Sequence, residues 1–469
     1  MQIHILPYRA CMKFYYTTLI KYTAAAILLG LFTIQGQAQV DLSSPYSIFG
    51  PGIPHQGVTV SQAGMGGSGM AFIELYRMNT LNPAALAYHL EPIFETSGVG
   101  TFSTFKTNTG SFKSRSFELN NLSLTFPIKR GVWGLTVGLE PYTTVGYDVN
   151  SASPDPSLTT TPVTKYSGDG GINKGYLGMA YKIYDKVDSA GNTSGMAIGS
   201  NFNYLFGTVD HNRQIAFPEE PAVQGLRIKE SVLMRDVNFD FGVQYHTNLI
   251  KRSATRTDYL KLNIGATYST GVDINSQKNS LVHNFNVNPL AVGDTLSILE
   301  MEKGHVTLPS RIVAGVGLDY ISKKRRRYRF AIDYSTQQWS QYDEVFADQQ
   351  KTFQFRDNHI LSTGLEYTPS LGSTKYLRTV EYRVGFKFEE TNIDIDGTAI
   401  NDVGMSFGLT LPLHHRRGLT KSAFHISGQY GTYGTTDNGL IQEDYFKLYV
   451  GFSFTPHFRN RWFVQPKYD

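Results

Sequence analysis

The side chains able to do chemistry are few and mostly sit where chemistry is hard to arrange. Gly64-x-Gly66-x-x-Gly69 spells a dinucleotide-binding string, but that motif needs a preceding strand, a following helix and a downstream acid, and none is present. The plain reading is a tightly turned backbone packed close to a wall. Lys323-Lys-Arg-Arg-Arg327 reads as a solvated turn between strands, positioned to touch anionic headgroups, rather than as a nucleic-acid patch. His414-His415-Arg416-Arg417 also occupies a turn, where adjacent imidazoles point apart and share no metal. Asp394-Ile-Asp-Gly397 lacks the glutamate-terminated spacing of a calcium loop. No serine, histidine and acid stand at a readable triad spacing, so no catalytic residue and no cofactor is assigned. Arg311, Arg383, Lys387 and Lys261 are cations that would orient a ligand carboxylate. The alternative, favoured for any single one of them, is pairing with Asp319, Asp333, Glu366 or Glu381.

Such residues need strands to hold them. The 469-residue chain is 41% hydrophobic, 13% aromatic and only 17% charged, with 45 glycines, too apolar and aromatic for a disordered chain. Bulky and small or polar residues alternate with period two: Trp133, Leu135, Val137 and Leu139 against Gly134, Thr136, Gly138 and Glu140, and Tyr328, Phe330, Ile332 and Tyr334 against Arg329, Ala331, Asp333 and Ser335. The polar face is rich in Gly, Ser, Thr, Asn and Gln, which suits the wet lumen of a barrel whose other face meets lipid. The expectation is therefore all-β: a transmembrane antiparallel barrel of about fourteen strands, over 92-105, 116-128, 132-148, 171-184, 194-207, 233-246, 258-270, 306-319, 328-339, 357-369, 380-389, 401-412, 422-431 and 443-455. Short connections alternate with long loops at 149-170, 208-232, 271-305 and 340-356, which places both termini in the periplasm. Trp133, Tyr147, Tyr181, Tyr245, Tyr268, Tyr320, Tyr328, Trp339 and Tyr367 fall near strand ends as an interfacial girdle.

The N-terminus reads as an export signal, residues 1-38: basic Arg9, Lys13 and Lys21, an apolar run from Ala24 to Ile34, and the small-x-small site Gly36-Gln37-Ala38. Cys11 is the single cysteine and leaves with it, which excludes disulfides and zinc–cysteine sites from the mature chain. Residues 39-90 do not alternate. They are rich in Pro and Gly yet carry Phe49, Ile53, Met65, Met70, Phe72 and Leu86, which need burial. A plug inside the lumen meets that need, followed by the barrel over 91-455 and a periplasmic tail at 456-469. Pro141, central in the third strand, cannot donate to a ladder and marks a bulge or a kink.

The glycine cluster Gly64, Gly66, Gly67 and Gly69, followed by Asn82-Pro83-Ala84 ahead of the first strand, resembles the N-terminal hatch of FadL/TodX-type outer-membrane transporters. Leu308-Pro-Ser-Arg-Ile-Val-Ala-Gly-Val-Gly-Leu318, Phe330-Ala-Ile-Asp-Tyr334, Trp339-Ser-Gln-Tyr342 and Tyr382-Arg-Val-Gly-Phe386 are similar to that family's strands. The resemblance implies a hatch whose ligand-contacting residues include Met65, Met70, Phe72, Asn82, Pro83 and Ala84. It also implies a lateral gate at Glu140, Pro141 and Tyr142, with a merely structural bulge as the equal alternative, and Arg311, Arg383 and Lys387 as lumen cations for a carboxylate.

The function expected is a monomeric channel of the Gram-negative outer membrane, held in outer-membrane lipid, for passive uptake of hydrophobic small molecules such as long-chain fatty acids. Capture by loops 208-232 and 271-305 and lateral release past the third strand complete it. Nucleic acid is not a partner. The alternative is a surface docking or secretion partner that moves no lipid; a barrel hydrolase is a third class, which predicts lipid hydrolysis by the purified protein.

Overall fold

The computed structural model describes residues 44–152, 161–219, 223–253, 257–285, 294–346, 349–351, 355–413 and 422–455. The export segment, His414 to Arg417 and the tail at 456–469 lie outside the described residues. Fourteen strands form a closed antiparallel barrel. They are β1 Ile93–Thr107, β2 Gly110–Lys129, β3 Trp133–Ala152, β4 Val163–Val187, β5 Thr193–Ala216, β6 Gly225–Ile250, β7 Tyr259–Ser269, β8 Arg311–Ile321, β9 Arg327–Gln337, β10 Asn358–Thr368, β11 Glu381–Ile395, β12 Thr398–Pro412, β13 Ala423–Tyr433 and β14 Gln442–Phe454. Each pairs with the next, and β14 closes on β1 from Gln442↔Lys106 to Phe454↔Phe94. Closure pairs every strand with two neighbours, which is what a membrane-spanning sheet requires.

The alternation in β9 sorts side chains between two solvents. Tyr328 and Ile332 are 40% and 42% exposed on the outer face, while Arg329 and Asp333 are 1% and 5% exposed on the inner one. Outward apolar side chains continue around the barrel through Leu177, Ile198, Phe239, Val384, Phe407 and Val450. The polar face is buried because it looks into a filled lumen.

Two expectations about the long connections change. Residues 208-232 and 271-305 are mostly strand, because β5 runs on to Ala216, β6 starts at Gly225, and Val272–Phe285 pairs with Thr295–Leu308 as an outer hairpin alongside β6. The eighth barrel strand accordingly starts at Arg311, since Val306 and Leu308 belong to that hairpin. The strand extensions are held by an inward apolar cluster that includes Val209, Val232, Ile274, Val306, Tyr147 and Trp339. Tyr147 and Trp339 therefore do not belong to the girdle: they are 2% and 0% exposed and fill the lumen beyond the apolar band, where burial against that cluster outweighs an interfacial position. Trp133, Tyr181, Tyr245, Tyr268 and Tyr328 do face outward. Asp394–Gly397 resolves into the tight β11–β12 hairpin turn, with Asp396 and Gly397 both at positive φ.

Residues 44–91 pack against the polar faces of the strands. Ser44 lies at the level of Gly146, to which its N–H donates at 3.0 Å, and the chain ends beside the β2–β3 turn, where His89 O accepts from Gly131 N–H. Contact is backbone to backbone: a Cβ on wall residue Gly385 would stand 2.1 Å from Gly66 N, and one on Gly199 would stand 2.5 Å from Pro83 C. Gly66, Gly67 and Gly69 all take positive φ, so the glycine string makes turns pressed to the wall.

Candidate functional site

The wall parts between β2 and β3. Their ladder runs from Lys129↔Trp133 to Leu122↔Leu139 and goes no further among the described residues. Both strands bulge there. On β2 the register to β1 shifts between Ser97 and Gly98, leaving Asn120 as the extra residue; on β3 the register to β4 shifts between Pro141 and Thr143. Pro141, lacking an N–H, stands where β3 leaves its neighbour.

The N-terminal segment takes the freed edge. Ile53–Pro54 pairs antiparallel with β3, Ile53 opposite Thr144 and Pro54 opposite Thr143. His55 N–H donates to Tyr142 O at 2.9 Å, and His55 Nε2 lies 2.7 Å from Thr144 Oγ1. From the opposite side Asn120 Nδ2 donates to Val58 O at 2.9 Å. Residues 53–58 thus bridge the two parted strands, by backbone pairing and the His55 ring on β3 and by the Asn120 side chain on β2.

Behind the bridge is a cavity of about 140 Å³, lined by Glu118 and Asn120 from β2, Pro141 and Thr144 from β3, residues 53–58, Lys387 and Glu389 from β11, Asp402 from β12, and Glu443, Tyr445 and Lys447 from β14. Polar and apolar surface share its lining, and its charged groups are mostly paired. Lys387 Nζ pairs with Glu389 at 3.0 Å and with Asp402, and Tyr445 OH donates to Asp402 at 2.7 Å. Lys447 has no ion pair among the described residues; its Nζ lies 5.0 Å from the Tyr445 ring centroid. Burial, then the Lys447 charge, pushes His55 down to about 4, so it is neutral at pH 7.

The expected gate residues all border a smaller adjoining space. Glu140 takes Lys174 Nζ at 2.7 Å, Pro141 lines both cavities, and Tyr142 OH accepts from Gln337 Nε2 at 3.4 Å. Arg311 borders the same space, donates its Nε to Ser335 Oγ at 3.0 Å and has no carboxylate ion pair among the described residues. Arg383 is committed elsewhere, to Glu366 at 2.7 Å and to Glu381. Of the three expected lumen cations, then, Arg383 and Lys387 are neutralised by the wall and Arg311 is not.

The expected hatch residues face the wall rather than the larger cavity. Met65 lies against Gly364 and Gly385, Met70 against Gly265 and Gly315, and Phe72 against Gly317 with the Arg329 guanidinium 4.1 Å from its ring centroid. Asn82 caps the short helix Pro83–Tyr88 by accepting from Ala84 N–H at 3.0 Å, and donates to Val243 O at 3.1 Å. Pro83 and Ala84 lie against Gly199. Asp333 Oδ2 accepts from Gly69 and Met70 N–H at 2.7 and 2.8 Å, the wall's carboxylate meeting successive amides of the glycine turn. Lower down, Glu74 pairs with Arg329 at 2.6 Å and Arg77 at 3.3 Å, and Arg77 pairs with Glu381. Burial alone would raise the Glu74 carboxyl, but Arg329 and Arg77 override it and hold it at about 2.

Two residues of the site, Asn120 and Lys447, are not among the expected site residues although the sequence marks both. Leu119-Asn-Asn-Leu122 inserts one residue into the alternation, the mark of a bulge, and Lys447 sits on the polar register between Phe446 and Leu448.

Residues 19–469 match the family model described as BamG. The chain belongs to the BamG family. Among curated proteins none matches it in sequence. Solved structures share the barrel of this BamG-family chain at low identity. The Ralstonia pickettii toluene transporter TbuX is 13% identical with a TM-score of 0.56, covering 86% of this chain and 99% of its own. A Pseudomonas aeruginosa FadL homologue is 11% identical at 0.51, covering 85% and 98%. The monoaromatic hydrocarbon channel CymD is 14% identical at 0.50, covering 85% and 98%. The resemblance to FadL/TodX-type transporters thus holds as one of fold, a closed antiparallel β-barrel with an apolar outer face.

Proposed function

We propose that this barrel passes amphipathic small molecules between its lumen and the bilayer through the parting of β2 and β3, with residues 44–91 acting as the hatch. The observation that carries this reading is the break in the wall at Leu122–Leu139, bridged by residues 53–58 with a cavity directly behind. The apolar cluster with Val209, Val232 and Trp339 fills the lumen at the long-strand end, so a sideways route is the short one. The neighbours' printed roles as a toluene transporter and a hydrocarbon channel favour a small-molecule cargo.

The lining narrows the cargo. A cavity of about 140 Å³ is small beside the roughly 300–1,000 Å³ that encloses a drug-sized ligand. It takes a polar headgroup, while an apolar tail lies in the parting against Phe117 and Leu119, which are 74% and 46% exposed on β2. Arg311 and Lys447 are the cations left to meet an anionic headgroup such as a fatty-acid carboxylate. In this reading the short-turn end is periplasmic.

Mass spectrometry of lipid retained by the detergent-extracted barrel tests this. An amphiphile held near stoichiometrically by the intact protein and released by Arg311→Ala with Lys447→Ala supports transport; an empty barrel counts against it. A docking role has one observation of its own, the exposed apolar side chains Leu296, Ile298 and Met301 on the outer hairpin, at 59%, 59% and 63%. Leu296→Ser with Ile298→Ser would then abolish capture of a partner and leave amphiphile retention unchanged.

A further inference from the structure

We propose that the turn between β8 and β9 binds the phosphate of an anionic phospholipid headgroup. Ser322 to Arg326 forms a tight reversal, closed by Ser322 N–H to Arg326 O at 2.9 Å and Arg325 N–H to Ser322 O at 2.9 Å. Lys323, Lys324, Arg325 and Arg326 are all exposed, and none has an ion pair among the described residues. Arg327, the last cation of the run, is taken by Asp319. Arg325 folds over Gly372 of the next turn, whose Leu371 N–H donates to Arg325 O at 2.8 Å. Lys323, Lys324 and Arg326 are left lining an open cleft with Tyr320, Tyr328 and Asp258. Three cations against one carboxylate make that cleft a site for an anion.

Its level in the fold selects a lipid as the source. Tyr320, Tyr328 and Tyr367 form a row of rings, with centroids 6.2 and 5.0 Å apart, on the outer face of β8, β9 and β10. Tyrosine rings in this position mark the rim of the apolar band, where headgroups lie. Beyond the rim come the cations; below it, Phe330 and Leu365, 39% and 52% exposed, give acyl chains a surface. Leu377, 72% exposed, adds an apolar side chain on the neighbouring turn. A soluble anion would use the cations and have no use for this apolar surround.

The test uses the full barrel in mixed micelles of phosphatidylglycerol and phosphatidylcholine, read by native mass spectrometry. Wild type should retain phosphatidylglycerol preferentially. Lys323→Gln with Lys324→Gln and Arg326→Gln should weaken that preference by roughly fivefold per cation removed, and high salt should erode it in the wild type. Equal preference in the triple variant would overturn the proposal, as would displacement of the lipid by excess inorganic phosphate, which would assign the cleft to a free anion. Heat-modifiable migration checks that the variant is folded. If it is not, a photoreactive phosphatidylglycerol on the wild-type barrel decides: cross-links at 320–328 support the site, and cross-links only elsewhere overturn it.

Discussion

At the scale of single residues, the lumen is governed by which charges have partners. Asp333 satisfies two amides of the glycine turn, so Asp333→Ala strands two buried N–H groups. The expected cost is about 1–3 kcal/mol for the stranded donors, read as faster hydrogen exchange at Gly69 and Met70. Arg383→Met leaves Glu366 buried with one guanidinium where it had two, and should lower unfolding stability by about 3–5 kcal/mol in a heat-modifiability series. Glu74 supplies a pH dependence. Its folded pKa of about 2 lies below an ordinary value near 4.3, so its contribution is complete above about pH 4.3 and is lost as pH falls through about 2. His89, 1% exposed and pushed down by burial to about 4, acts in the same direction from about pH 6.5 downward. Hydrogen exchange over residues 74–89 at pH 7 and pH 4 should show weaker protection at the lower value. The cations on the polar register were readable from sequence because alternation assigns a face. Pairing with carboxylates of the same wall was expected too, and Arg383 meets two of those named, Glu366 and Glu381; which carboxylates Lys387 takes, Glu389 and Asp402, was not readable, because the register of neighbouring strands decides it.

At the scale of elements, most of the barrel was legible because lipid on one side and polar packing on the other force period two along each strand. The exceptions have a common cause. In β5 beyond Thr208, in β6 before Met234 and in the outer hairpin the inward residues are the apolar ones, and Asp210, Arg213, Glu230 and Lys278 stand among them. Asp210 and Arg213 are exposed there while Lys278 is buried against Glu230, and a stretch that mixes charges with an apolar inner face reads as a loop when a lipid-facing strand is the template. The parting was half legible. Pro141 marks the β3 side, whereas its partner at Asn120 is one extra residue in an otherwise regular strand. Asn120→Ala removes the hydrogen bond to Val58 O and should weaken the bridge by about 1 kcal/mol. Single-channel recording in planar bilayers should show more frequent openings than wild type, with the barrel itself intact.

At the scale of the molecule, three features act together: an apolar exterior, an apolar cluster at the long-strand end with residues 44–91 packed on the polar strand faces, and, among the described residues, one place where adjacent strands are not paired to each other. Polar packing holds the segment to the wall along most of its length, through Asp333, Glu74 and Arg77. At the parting the segment is held by a two-residue ladder and a few hydrogen bonds, so that end is the part free to leave first. The account stands on that parting being the exit. Ile53 and Thr144 are directly opposed in an antiparallel pair, a spacing compatible with a disulfide, and Cys11 is the only cysteine in the sequence. Ile53→Cys with Thr144→Cys therefore fixes the bridge in place under oxidation and frees it under reduction. In proteoliposomes loaded with a fluorescent fatty acid, we expect the oxidised variant to transfer it no faster than protein-free vesicles, and reduction to restore the wild-type rate. Equal transfer by the oxidised and reduced forms would contradict a lateral route between β2 and β3.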